Sequence, residues 1–114
     1  MPVTKKAALT GKPAVQDYAP KIVVQNVNVP GYTHRVDSTM YNAMRQAMLK
    51  MLPRKAPGMT QTEMWQTLPR FAPIGLFPDS GKIGWWMKTV QLDLEAKKII
   101  FREPTKPLRW HRRR

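Results

Sequence analysis

The sequence predicts an α+β fold in which three helices lie between two β-hairpins. Residues 22–27 and 99–102 are rich in β-branched side chains, and turn-forming residues follow each run. Between these runs, apolar residues recur at three- and four-residue steps in two long segments, which is the spacing of helices with one buried face. A chain of 114 residues has room for one domain of this kind.

The first hairpin is predicted from residues 22–27 and 32–36, because Asn28, Pro30 and Gly31 form a turn between them. Residues 1–20 contain four prolines and glycines and develop no apolar period, so we interpret them as a flexible basic tail. The folded domain is expected to span residues 21–110. The last four residues, 111–114, are expected to form a second basic tail.

The first helix is expected to begin at Asp37 or Ser38 and to end at Pro53. Its apolar residues form a single stripe rich in methionine. Because methionine at helical spacing usually fills a core, we interpret the stripe as core rather than as a binding groove. Its members are Met40, Tyr41, Met44, Ala47, Met48, Met51 and Leu52.

The second and third helices also have recognisable starts. Thr60 and Glu63 form a capping box, and Pro69 stops the short second helix near Leu68. The third helix is expected to start at Asp79 or Ser80 and to reach residue 97 or 98. One face should contact the core, and it comprises Ile83, Trp86, Met87, Val90 and Leu94.

Residues 99–102 and 108–110 are expected to pair as a C-terminal hairpin around two prolines. Three helices followed by such a hairpin are the element order of a winged helix-turn-helix. The sequence therefore predicts a winged helix-turn-helix core with an added N-terminal hairpin. In that fold the third helix can enter the major groove of DNA while the hairpin, or wing, lies against the backbone.

Two segments resemble a known protein family. Residues 84–97 read Gly-Trp-Trp-Met-Lys-Thr-Val-Gln-Leu-Asp-Leu-Glu-Ala-Lys, and residues 102–110 read Arg-Glu-Pro-Thr-Lys-Pro-Leu-Arg-Trp. They are similar to a family of small, mostly bacterial proteins of unknown function with a winged-helix-like core. The resemblance spans about residues 22–110, and Gly84-Trp85-Trp86 is its most specific part. It implies a fold but no activity.

Charge indicates the class of partner. The chain has 20 Lys and Arg against 7 Asp and Glu, and residues 98–114 alone hold seven basic side chains against Glu103. Such an excess is typical of proteins that neutralise phosphates, although a basic segment can also be only a solvated arm. The residues expected to contact phosphate are Arg45, Lys50, Arg54, Lys55, Arg102, Lys106, Arg109, Arg112, Arg113 and Arg114.

The outward face of the third helix leaves two interpretations open. Lys88 and Gln91 are candidates for base contact, but Asp93 and Glu95 would repel phosphates there. Trp85 and Leu92 form part of a second apolar stripe on the same face. Either the N-terminal hairpin or the wing covers this stripe, or the stripe binds a protein partner or a second copy of the chain.

We therefore expect a nucleic-acid-binding protein that contacts mainly the phosphate backbone, with DNA favoured over RNA. The alternatives are a protein-interaction module that uses Trp85 and Leu92, or a structural component of a ribonucleoprotein particle. Without cysteine, a metal-ligand spacing, a phosphate-binding loop or a nucleophile motif, we expect no enzyme activity, cofactor or metal. No apolar run reaches the roughly 18–20 residues of a membrane span, and we expect a cytoplasmic protein.

Overall fold

The computed structural model describes residues 20–77 and 80–113. The first 19 residues of the expected tail, the candidate cap Asp79 and the candidate contact Arg114 lie outside the described residues. The fold is α+β, with three helices and two small antiparallel sheets. Its elements are β1 (Lys21–Gln25), β2 (Thr33–Asp37), α1 (Ser38–Met51), β3 (Met59–Thr60), α2 (Gln61–Thr67), α3 (Ser80–Ala96), β4 (Ile100–Glu103) and β5 (Arg109–Arg112).

The N-terminal hairpin is a two-stranded sheet in which β1 and β2 pair from Lys21 opposite Asp37 to Gln25 opposite Thr33. Val24 and Val36 point into the core, and the chain passes directly from β2 into α1. Asp37 ends the strand and caps the helix, because its Oδ1 accepts a hydrogen bond of 3.0 Å from the Met40 amide. The predicted hairpin and the predicted start of α1 are thus confirmed.

The core lies between α1 and α3 and is closed by both sheets. The methionine stripe of α1 is buried as predicted, except that Met40 is only partly buried. On α3 the predicted inward face is buried apart from Ile83, which packs at its edge. Met64, Leu68, Ile100 and Trp110 complete this cluster.

The three-stranded sheet contains a strand that the sequence analysis did not predict. Residues Met59 and Thr60 form β3, which pairs with β5, and the strand order is β3-β5-β4. Two residues are too few to show an alternating pattern, so this strand leaves no signal in the sequence. Gly58 precedes it with a φ of +91°, and its backbone runs against the Trp110 carbonyl, where any side chain would collide.

The C-terminal hairpin continues further than predicted. The expected tail at 111–114 is wrong for His111 and Arg112, because both belong to β5. Their side chains and amides find partners across the sheet and in the loop after α1: His111 Nε2 lies 2.8 Å from Glu103 Oε2, and the Arg112 amide donates to the Pro53 carbonyl over 2.9 Å. These contacts order a segment that its basic composition made look like a solvated arm.

Thr60 and Glu63 form the predicted capping box at the start of α2. The Glu63 amide donates to the Thr60 hydroxyl over 3.1 Å, and the Thr60 amide donates to the Glu63 carboxylate over 2.9 Å. The short helix then tightens into a 3₁₀ turn at Leu68–Arg70, where Pro69 cannot supply an amide. Within the described residues, no helix combines the length and the apolar character that crossing a membrane requires.

Candidate functional site

Asp93 on α3 joins the N-terminal hairpin to the helices. Its carboxylate is fully buried and accepts a hydrogen bond from the Gln25 amide of β1 over 2.8 Å. The Tyr41 hydroxyl of α1 donates to its second oxygen, and Lys97 Nζ lies 2.8 Å from the same atom. Burial, together with the bond to Asp93, raises the pKa of Tyr41 above its usual range. The carboxylate therefore holds three elements together.

Glu95, also on α3, makes a second internal ion pair. It accepts from Arg102 Nε of β4 over 2.8 Å, and Gln91 Nε2 lies 3.4 Å from its other oxygen. Arg102 also reaches the turn of the N-terminal hairpin, with Nη2 3.4 Å from Asn28 Oδ1. These contacts enclose the C-terminal half of α3.

The prediction that Gln91 faces outward is therefore wrong, because its side chain is completely buried. Asp93 and Glu95 do not face outward either. The sequence predicted one buried face on α3. The N-terminal hairpin and β4 cover two further sides of its C-terminal half, so polar residues outside the predicted face are buried too. Lys88 remains exposed, as predicted.

The stripe that contains Trp85 and Leu92 is covered at one end and exposed at the other. Leu92 is only partly exposed, and Ala96 shares a shallow pocket with the hairpin turn, including Asn26 and Tyr32. Trp85, however, is half exposed and meets the rings of Trp86 and His34 edge-on, at centroid distances of 5.0 and 6.4 Å. The hairpin thus covers the end of the stripe near Ala96 and leaves the Trp85 end open.

Two of the expected phosphate contacts pair with carboxylates, one of them buried and the other exposed. Arg102 pairs with Glu95, as described, and its guanidinium lies 5.8 Å from the Trp110 ring centroid. Arg109 Nη1 lies 3.3 Å from Glu63 and donates to the Gly58 carbonyl over 3.1 Å. Both therefore brace the sheet. Lys106 is exposed in the loop between β4 and β5.

Five other cations lie on two segments that meet where β5 ends beside the loop after α1. Arg112 joins the two segments, because its amide donates to the Pro53 carbonyl and its Nε donates to the Leu52 carbonyl over 3.2 Å. Arg113 follows, with its amide bonded to the Ile99 carbonyl. We call this surface the basic edge, and it comprises Lys50, Arg54, Lys55, Arg112 and Arg113.

Arg45 lies elsewhere on α1, near Tyr41, and its positive charge acts to lower the pKa of that hydroxyl. It does not belong to the basic edge. The structure thus places half of the ten expected phosphate contacts on adjoining segments, pairs two with carboxylates and leaves Arg45 and Lys106 apart, while Arg114 lies outside the described residues.

The carboxylates that the structure describes are engaged with partners other than the basic edge. Asp17 and Asp79 lie outside the described residues, which leaves five, and all five have partners elsewhere. Asp37 caps α1, and the other four pair with basic side chains that do not belong to the basic edge: Asp93 with Lys97, Glu95 with Arg102, Glu63 with Arg109, and Glu103 with His111. Among the residues that the structure describes, no carboxylate forms an ion pair with a cation of the basic edge.

Comparison with known families gives one match. A family of unknown function, DUF6958, matches residues 21–110. The chain belongs to this family. The DUF6958 match begins with β1 and includes α1, α2, α3 and most of the C-terminal hairpin, whereas Arg112 and Arg113 of the basic edge lie beyond it. No curated protein and no solved structure matches the chain. Among the described residues, no three His, Asp or Glu side chains come together as a metal site would need.

Proposed function

We propose that this protein binds nucleic acid through the phosphate backbone, with the basic edge as its main contact surface. The observation that supports this proposal is the bonding of Arg112 to Leu52 and Pro53, which brings together two basic segments whose cations form no ion pair within the described residues. Clustered Lys and Arg side chains bind a polyphosphate by releasing its counterions. No catalytic step is part of the proposal.

The order of the elements supports a winged-helix interpretation of this binding domain. The strand β3 lies between α1 and α2 and pairs with β5, and the hairpin of β4 and β5 follows α3. This connectivity is the one expected for a winged helix-turn-helix, and we propose that the family shares it. Because the N-terminal hairpin lies along α3 and Gln91 is buried, we do not expect α3 to read bases in a major groove.

Salt dependence tests the proposal. On duplex DNA the logarithm of the binding constant falls against the logarithm of salt concentration with a slope of about −0.9 per neutralised phosphate. We expect the double variant Arg54→Gln, Lys55→Gln to weaken binding of any duplex sequence and to reduce this slope by about 1 to 2. Fluorescence anisotropy of a labelled duplex DNA, then of a duplex RNA, measures both quantities.

The matched control removes two exposed cations from the outer face of the N-terminal hairpin, Lys21→Gln with Arg35→Gln. It lowers the net charge equally and lies away from the basic edge. If both double variants change the slope equally, binding follows net charge and the basic edge is not its site. A binding constant that does not change with salt would contradict the whole proposal.

A protein-interaction module is the second candidate function, and the half-exposed ring of Trp85 favours it. Leu92, the other residue expected on such a face, is partly covered. Under this alternative, Trp85→Asp prevents association with a protein and leaves DNA binding at the basic edge unchanged. Equal loss of both would contradict it.

A further inference from the structure

Three aromatic rings follow one another where the N-terminal hairpin meets α3. The Tyr32 ring lies 5.6 Å from the His34 ring, and the His34 ring lies 6.4 Å from the Trp85 ring. Tyr32 is 51% exposed and Trp85 is 50% exposed, so the two outer rings present open surface to the solvent. We call these three residues the aromatic platform.

The backbone and packing hold the platform in place. Trp85 packs edge-on against the buried Trp86, and His34 points to the core side of β2, opposite the buried Val24. The bond from the Gln25 amide to Asp93 ties the hairpin to α3. The rings therefore keep their relative positions without a ligand, which reduces the entropy that binding must overcome.

Positive charge flanks the platform. Lys82 and Lys88 are exposed on α3, three residues before and three residues after Trp85, and side chains at this spacing are neighbours on a helix surface. The five described carboxylates are engaged with partners elsewhere, as shown above. A ligand that fits this surface has flat apolar faces and negative charge.

We propose that the aromatic platform binds single-stranded nucleic acid, with unpaired bases stacked on Trp85 and Tyr32 and adjacent phosphates near Lys82 and Lys88. This inference rests on the proposed function, and it names a substrate class that the basic edge alone does not select. In a duplex the bases already stack on one another, so only an unpaired strand offers their faces to the rings.

The exposed area argues against a second copy of this chain or a stable protein partner. A large aromatic side chain buries about 150–250 Å² when it is fully covered, so two half-exposed rings offer about 200 Å². With Trp65, which is 41% exposed and lies against Gly84, the exposed aromatic surface is about 300 Å². A specific protein interface buries about 800 Å² of each partner, of which about 450 Å² is apolar.

Three ligands of equal length distinguish binding by base stacking from binding by electrostatic attraction to phosphate. They are an oligothymidylate strand, an abasic strand with the same phosphates, and a DNA duplex. We expect the wild-type protein to bind oligothymidylate more tightly than the abasic strand. Trp85→Leu should weaken oligothymidylate binding about 5- to 150-fold, the range of stacking one base on a ring, and should leave the other two ligands unchanged. Anisotropy of labelled ligands measures all three.

Two further variants keep the test decisive. Tyr32→Leu, at the end of the hairpin turn, should weaken oligothymidylate binding in the same way even if Trp85→Leu proves too unstable to assay. Phe71→Leu removes an aromatic ring that is 40% exposed and lies outside the platform, and it should change none of the three affinities. Circular dichroism confirms that each variant is folded.

The outcomes distinguish the two proposals. Suppose that the wild-type protein binds the duplex and the abasic strand with steep salt dependence, but binds oligothymidylate no more tightly than the abasic strand. The inference about the aromatic platform is then wrong, and the proposed binding at the basic edge is retained. If none of the three ligands binds at low salt, the proposed function fails and the platform inference fails with it. If Trp85→Leu instead abolishes self-association measured by light scattering, the platform is a protein interface and the inference is overturned.

Discussion

Replacing Asp93 by alanine should be among the most destabilising single changes in this protein. The substitution leaves the buried Tyr41 hydroxyl and the part-buried Gln25 amide without their acceptor, and each orphaned donor costs about 1–3 kcal/mol. Lys97 is 29% exposed and can turn to water, so the loss of its ion pair adds less than about 1 kcal/mol. We expect the free energy of unfolding to fall by about 4 kcal/mol, out of a total of about 5–15 kcal/mol for a typical domain.

Urea denaturation followed by circular dichroism measures this loss. Asp93→Asn keeps an acceptor for the Gln25 amide but no charge for Lys97, so it should cost about half as much. Glu103→Gln removes the carboxylate from a partly exposed contact with the His111 ring and should cost less than about 1 kcal/mol. If Asp93→Ala is no worse than Glu103→Gln, or if hydrogen exchange of the Gln25 amide is unchanged, the buried carboxylate does not hold the hairpin to α3.

Three other predictions follow from single contacts. The raised pKa of Tyr41 favours its neutral form, so the stability that this hydroxyl contributes is fully present below the unfolded pKa of 10.0 and is lost as pH rises through the folded pKa. Urea titrations above pH 10.0 should therefore show a shallower decline in the free energy of unfolding for Tyr41→Phe than for the wild type. Gly58→Ala should lower the free energy of unfolding by at least about 1–3 kcal/mol, because of its positive φ and the Trp110 carbonyl; a neutral effect would contradict the strand pairing. Thr60→Ala should cost about 1 kcal/mol by removing the acceptor of the Glu63 amide, and an unchanged thermal midpoint would refute the cap.

If nucleic acid binds at both the basic edge and the aromatic platform, the protein has two modes of contact with different selectivity. The basic edge recognises phosphate, which single and double strands share. The platform recognises base faces, which only an unpaired strand offers. Combining Arg54→Gln and Trp85→Leu in one variant should then give additive losses for oligothymidylate, because the two sites share no residue.

Signals from residues that are close together in the sequence were sufficient to predict most of the helices and strands. The capping box at Thr60 and Glu63, the proline after Leu52 and the methionine stripe of α1 act within one or two helical turns, and each has its predicted effect. These signals are reliable because they involve backbone groups and side chains that are neighbours along the chain. The strand β3 gave no such signal, since its two residues are recruited only by pairing with β5.

The amino-acid sequence by itself determined the helices, the two hairpins, the positive charge and the family. Tertiary structure alone decided which polar groups of α3 face inward, because Gln91, Asp93 and Glu95 are buried by a hairpin from one end of the chain and a strand from the other. It also decided which cations pair with a carboxylate, because Glu63 and Glu95 pair with arginines that lie 46 and 7 residues further along the chain. Such partners are set by packing between different elements, and the periodicity within one helix does not indicate them.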